Sequence, residues 1–187
     1  MKRFLILFAL ILLTVPALAA PGTVVSYTID PEKNAYEHNN LGIMYVEEKD
    51  YYAAIQEFKI AISLNPKTQA TAVYFNNLGK VYMTIGYPDL ALDCFQQAIT
   101  QYSLNFEFYK NLVGCYKALG QIPKQLEIYK TKTDNPYDKL LLGLLYEENG
   151  DIRKAIFVLD EFAVSEPNLM ITPAVKSYIQ ELVNKIM

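Results

Sequence analysis

An all-α fold, a solenoid of stacked helix-turn-helix units closed by a C-terminal helix, is predicted by three observations. Apolar residues recur at helical spacing along most of the chain, and one pattern returns four times in register. Pro, Asp and Asn fall between these segments at places that start and stop helices. The first copy shows the design. Leu41-Gly42-x-x-Tyr45 lies on one helix, and Ala54, Ile55, Phe58, Ala61 and Ile62 lie on a second that begins after Asp50 and ends before Pro66. Gly42, Ala54 and Ala61 are places where the two backbones can approach closely. A pair this short cannot bury its apolar stripe alone, so it must stack on copies of itself.

Leu78-Gly79-x-x-Tyr82, with Ala91, Phe95 and Ala98, repeats the first copy at an offset of 37. Leu112, Val113 and Tyr116 follow after a step of 34, with Gly120 at the turn where the second copy has Gly86. Leu142-Gly143-x-x-Tyr146, Gly150-Asp151, Ala155 and Pro167 form the fourth after a step of only 30. Copies are expected at about residues 35–68, 72–105, 106–135 and 136–169.

These residues resemble the tetratricopeptide repeat, with its Trp-x-x-Leu-Gly-x-x-Tyr…Ala-x-x-x-Phe…Pro signature. The resemblance spans roughly residues 35–169 and implies a right-handed α-solenoid. Departures from it are local. The usual Trp place holds His38, Phe75, Tyr109 and Lys139. In the third copy the small and aromatic places of the second helix hold Gln125, Tyr129 and Lys132, which predicts a shortened helix and a bend near residues 121–135.

At the N-terminus, Met1-Lys2-Arg3, an apolar run from Phe4 to Leu13 and Ala17-Leu18-Ala19 form a secretory signal peptide over residues 1–19, cleaved near Ala19. The run is shorter than the roughly 20 residues of a spanning helix and Pro16 interrupts it, so export is the reading favoured over a retained anchor. Residues 20–30 read as an extended arm, and 31–187 as one repeat domain. Removing Lys2 and Arg3 from 17 basic residues leaves 15 against 20 acidic ones, a net charge of −5. That balance, with Arg153 as the one remaining arginine, argues against a nucleic-acid partner.

Helix starts are expected at Asp30-Pro31-Glu32, Asp50, Tyr87-Pro88-Asp89, Asn105, Asn135-Pro136, Asp151 and Thr172-Pro173, where a cap, a proline or an early acid suits the first turn. The last opens a helix over 173–186 with Val175, Ile179, Leu182, Val183 and Ile186 on one side. It lacks Leu-Gly-x-x-Tyr and reads as a cap on the fourth copy.

Little in the chain points to catalysis. His38 is the single histidine, which leaves no Ser-His-Asp or histidine-based zinc set, and the glycines sit singly rather than in a phosphate loop. No enzyme activity, no cofactor, no metal and no small-molecule substrate is therefore expected. Cys94 and Cys115 fall on adjacent elements, and the sequence leaves open a disulfide between them or two buried thiols.

The resemblance also implies where a ligand would lie. In this family the first helices line a concave groove, which here carries Tyr36, Asn39, Asn40 and Ile43; Val73, Asn76, Asn77 and Lys80; Glu107, Lys110, Asn111 and Lys117; and Tyr137, Leu140, Leu141 and Leu144. Ile43 and Glu107 stand where some members grip a peptide's terminal carboxylate, so that mode is not reproduced. Asn40, Asn77 and Asn111 precede the core leucine, where some members carry asparagines that contact peptide main chain, and they are expected to form a ladder along an extended peptide. Leu140, Leu141 and Leu144 are expected either to fill a gap beside the third copy or to form an exposed apolar floor. The function expected is an exported scaffold binding a protein or peptide segment in the periplasm or cell envelope, meeting a membrane only through an envelope complex. The alternative is a self-associating structural component of an envelope, pilus or secretion assembly.

Overall fold

The structure, a computed structural model, describes residues 30–132 and 135–187. The expected signal peptide and most of the expected arm lie outside the described residues. Among the described residues the chain forms nine α-helices and no strand: α1 Pro31–Glu47, α2 Tyr51–Leu64, α3 Gln69–Thr84, α4 Pro88–Gln101, α5 Phe106–Ala118, α6 Ile122–Thr131, α7 Pro136–Glu148, α8 Ile152–Ser165 and α9 Thr172–Ile186. No helix of the described residues is long and apolar enough to cross a membrane.

The starts follow the expected chemistry, with three departures, one of them at α9, where Ile171 precedes the helix without a side-chain cap bond and Thr172 already lies inside it. Asp30 accepts from the backbone N–H of Glu32 and Lys33, Asp50 from Ala53, Asn105 from Glu107 and Asn135 from Tyr137. Each satisfies donors that a helix leaves unpaired at its first turn. Tyr87 and Asp151 make no side-chain cap bond; the Asp151 carboxylate turns to Lys154 instead, 3.3 Å away. The turns inside the helix pairs need a left-handed residue, supplied by Gly86, Gly120 and Gly150, and in the first pair by Lys49 at φ 62°.

The pairs α1/α2, α3/α4 and α7/α8 pack tightly because their first helix carries a glycine where the second crosses it. A Cβ on Gly42 would stand 2.7 Å from Phe58, one on Gly79 2.7 Å from Phe95, and one on Gly143 2.6 Å from Leu159. Each partner lies 16 residues later, which is the expected register. Ala54, Ala61, Ala91, Ala98 and Ala155 are fully buried in the same seams. One continuous core runs from Ala54 to Leu182, and Val175 and Leu182 of α9 close it on α8.

The third pair breaks this rule. Val113 occupies the glycine place, Gln125 and Lys132 occupy the two alanine places, and α6 has 10 residues where α2, α4 and α8 have 14. Side chains in the seam hold α6 away, so it meets α5 only at its fringe. The first helix of the next pair takes up the contact, with α5 packing directly along α7. Leu140, Leu141 and Leu144 are 0%, 6% and 2% exposed in that contact. The exposed apolar floor is thus corrected: these leucines are core, filling the space that the displaced α6 vacates.

The disulfide is also corrected. Cys94 and Cys115 are both buried free thiols, and the Cys115 S–H donates to the Pro88 carbonyl at 2.9 Å. Burial first, then the charge of Asp93, pushes Cys94 up to about 12; burial, then Asp89, pushes Cys115 up to about 11.

Candidate functional site

The inner faces of α1, α3 and α5 carry two pockets that repeat each other one unit apart. The first, about 190 Å³, is lined by Ile43, Val46 and Phe58 on one side and by Asn77, Lys80, Val81 and Thr84 on the other. The second, about 260 Å³, is lined by Lys80, Met83, Thr84 and Phe95 and then by Lys110, Asn111 and Gly114. Ile43, Val46 and Phe58 recur as Lys80, Met83 and Phe95 at the offset of 37, and Asn77 and Lys80 as Asn111 and Gly114 at 34. Each pocket therefore has an apolar wall from one unit and a carboxamide and lysine from the same or the next. Tyr36, Ile43 and Val73 stay 59%, 40% and 40% exposed along this face, far above the core residues behind them.

The asparagines sit where the sequence placed them but are already engaged. The Asn77 Nδ2 amide donates to Asn39 Oδ1 at 2.9 Å, and Asn111 Nδ2 donates to Asn76 Oδ1 at 2.8 Å. Asn39 and Asn76 are 5% and 6% exposed, so each buried acceptor requires its partner. The rungs are thus pairs linking successive first helices, with Asn77 and Asn111 half-buried at the groove surface. Of the expected ladder of Asn40, Asn77 and Asn111, the last two thus already hold a neighbouring helix. Asn40 is half-buried and in neither pair. Leu141 takes the next place and ends the series.

The lysines divide as well. Lys80 has no acidic partner within 4 Å among the described residues. Lys110 pairs with Glu107 at 3.5 Å and lies 5.2 Å above the Tyr178 ring. Lys117 meets Glu148 at 2.7 Å, and that hydrogen bond raises its pKa.

A third interval along this face is nearly closed. It measures about 60 Å³ between Lys110, Val113, Leu144, Glu147, Glu148 and Tyr178. Tyr178 of α9 packs edge-on against Phe106 of α5 at 5.1 Å, and its hydroxyl donates to the Glu147 carboxylate, which also holds Lys185 at 3.3 Å. Burial, then that hydrogen bond, pushes the Tyr178 phenol upward. The C-terminal helix thus does more than cap α8: it stops the groove at the third unit. In the sequence, Tyr178 was one aromatic among fifteen tyrosines, without a repeat position to mark it.

His38 is placed as expected of a structural residue, with Nδ1 2.6 Å from Glu57 Oε2 across α1 and α2. Tyr137, expected in the groove, instead stacks on Tyr109 at 5.6 Å.

Comparisons with known proteins agree with the helical-repeat fold. The tetratricopeptide repeat model matches residues 38–68 and 72–102. The chain is 26% identical over 110 residues to photosystem I assembly protein Ycf3 from two strains of Prochlorococcus marinus, MIT 9303 and MIT 9313, covering 59% of this chain and 63% of each relative. It is 24% identical over 132 residues to the TPR repeat-containing protein MJ1428 of Methanocaldococcus jannaschii, covering 68% of this chain and 23% of that one. The chain therefore spans less than two thirds of the length of these curated relatives. Its fold is similar to the crystal structure of a tetratricopeptide repeat protein from Parabacteroides merdae, with a TM-score of 0.51 and 18% identity over 82% of this chain and 61% of that one. By sequence residues 38–68 and 72–102 are similar to the tetratricopeptide repeat, and the helices beyond them continue an all-helical solenoid.

Proposed function

We propose that the chain is an exported, non-enzymatic scaffold that binds an extended segment of a partner protein across the two open pockets of its inner face, in the periplasm or cell envelope. Tetratricopeptide repeat proteins generally mediate protein–protein interaction. The observation that carries the reading here is the pair of equivalent pockets on α1, α3 and α5. Two apolar recesses one unit apart, each beside a carboxamide and a lysine, suit alternate side chains of an extended peptide. Because Lys110 and Lys117 are matched by Glu107 and Glu148, Lys80 is the residue left to favour an acidic side chain. Tyr178 sets the end of the bound segment.

The sequence of residues 1–19 is what supports export in this reading. A mature chain beginning near Ala20 in the periplasmic fraction supports it; an intact Met1 in the cytoplasm sinks it.

The binding test is selection of peptides on the full mature chain from a random display library. Ile43→Asp and Lys80→Glu should keep the parent's circular-dichroism spectrum and weaken the selected peptides about tenfold or more, roughly the worth of a displaced apolar contact or charge pair. Undiminished binding in both variants removes the groove reading. Self-association is favoured by a different observation, the outward Phe157 and Val164 of α8 at 64% and 70% exposed. A monomer by light scattering at high concentration rejects it.

A further inference from the structure

The displaced α6 leaves a second recess, separate from the groove. It measures about 480 Å³ and lies between the end of α4 (Gln96, Ile99, Thr100), Ser103 just beyond it, the face of α5, Tyr129 of α6 and the start of α7. It shares no residue with either groove pocket. Four tyrosines wall it: Tyr109, Tyr116, Tyr129 and Tyr137, the first and last stacked at 5.6 Å with their planes 17° apart. Asp138 reaches it from α7.

Asp138 is the unusual member. It is 5% exposed, and its Oδ2 has no hydrogen-bond partner among the described residues. Its Oδ1 lies 3.6 Å from the Lys132 ammonium, which also stands 5.1 Å above the Tyr129 ring and is half exposed. A carboxylate withdrawn from water needs a partner of opposite charge or a set of donors. The Tyr109 phenol cannot supply one, because its hydroxyl donates to the Ser103 carbonyl at 2.9 Å. Lys132 therefore shows what the recess accepts: a cation held between a carboxylate and a tyrosine face. It fills the role from the rim, reaching one oxygen.

We infer that the recess formed by Tyr109, Tyr116, Tyr129, Tyr137 and Asp138 is a binding site for an organic cation, an ammonium or guanidinium head that takes the place of Lys132 at the Asp138 carboxylate and over the Tyr129 ring. The carboxylate repels anions, and a neutral ligand gains only apolar contact from the ring faces, whereas a cation gains the attraction of both the rings and the carboxylate. A metal ion is not suited, since the described residues hold no group of three or more His, Cys, Asp or Glu that could bind one. Tyr109 and Tyr129 stay neutral, so their faces remain available: burial, then neighbouring phenols, then Asp138 itself push both upward. The head group has two sources, a free small amine or a Lys or Arg side chain of a bound protein, and the recess is wide enough for the stem of either.

The test is titration of the full mature chain with butylammonium, butylguanidinium and short peptides centred on Lys or Arg, with a norleucine peptide as the neutral control, followed by calorimetry. Saturable binding of the cations and none of the control is expected. Asp138→Asn should weaken binding about tenfold or more, and Lys132→Ala should strengthen it several-fold by removing the competitor. If Asp138→Asn does not fold, Lys132→Ala and Tyr129→Leu decide, the latter expected to weaken binding. Equal binding of the norleucine control, an Asp138→Asn variant that binds as the parent does, or a Lys132→Ala variant that binds no tighter overturns the site. Peptides bound more than about tenfold tighter than butylammonium assign the cation to a partner's side chain, and equal affinities assign it to a free amine.

Discussion

The first two helix pairs and the third differ at the small-residue places of their seam, and from those the two halves of the molecule acquire different surfaces. Gly42 and Gly79 let Phe58 and Phe95 lie against bare backbone, with alanines completing each seam. The inner face of these pairs is consequently regular, and its pockets repeat. In the third pair Val113, Gln125 and Lys132 stand at the same places, the second helix withdraws, and a recess opens on the other side of α5. A repeat that loses its small residues keeps its first helix in line and gives up its second. Repetition builds the groove, and its failure builds the tyrosine-walled recess.

Leu144→Asp breaks the comparison most severely. It puts a charge into the α5/α7 contact that replaces the lost seam, where Leu144 is 2% exposed. A cost above about 4 kcal/mol is expected for an unpaired buried charge, enough to unfold the C-terminal half. Circular dichroism with chemical denaturation reads it, and a native melt would show that α7 is not held as described.

Gly79→Leu comes next. Its Cβ would meet Phe95 at 2.7 Å, so overpacking of about 1 to 3 kcal/mol is expected, whereas Gly114→Ala, at a glycine with nothing within 4 Å, should cost less than about 1 kcal/mol, a helix glycine being weak to begin with. Similar melting temperatures for both would remove the assigned register.

A smaller effect is expected at the asparagine pairs. Asn77→Ala with Asn111→Ala removes both interhelical bonds, so stability should fall by about 1 kcal/mol for each. An unchanged melting temperature would return these side chains to a purely ligand-facing role.

The smallest is a pH effect at the junction of the second and third pairs. Cys94 and Cys115, at about 12 and about 11 against the usual 9.0, have raised folded-state values, so the native state favours the protonated thiol. Their contribution is full below pH 9 and is lost as pH rises from 9 through 11 and 12. Cys94→Ala should flatten the decline of melting temperature above pH 9; an identical slope in the variant counts against the burial described.

Much of the fold was legible because repetition multiplies a weak signal. One Leu-Gly-x-x-Tyr means little, but with alanines and a phenylalanine returning in register it marks a close helix crossing that only small residues allow. The departures at Gln125 and Lys132 were legible for the same reason, and they located the shortened helix. What followed from it was not. Asp138 reads in sequence as an ordinary acid in the first turn after Pro136, and its burial depends on where α6 and α5 lie. Leu140 and Leu144 offered two fates that only the packing of α7 could separate. The asparagine positions were readable from the register, but which carboxamide bonds which depends on the offset between neighbouring helices.

The direct contact of α5 with α7 changes how the solenoid transmits stability. In a regular array each helix is a link between its neighbours, and the whole behaves as a one-dimensional chain of coupled units. Here the chain of couplings passes from α5 to α7, with α6 attached as a side branch. Opening of α6 therefore need not sever the two halves. In native-state hydrogen exchange, the amides of Ile122–Thr131 should be the first interior helix to trade protons, in a local event far cheaper than global unfolding. The wall that carries Tyr129 would open with it, making α6 the movable side of an otherwise fixed recess.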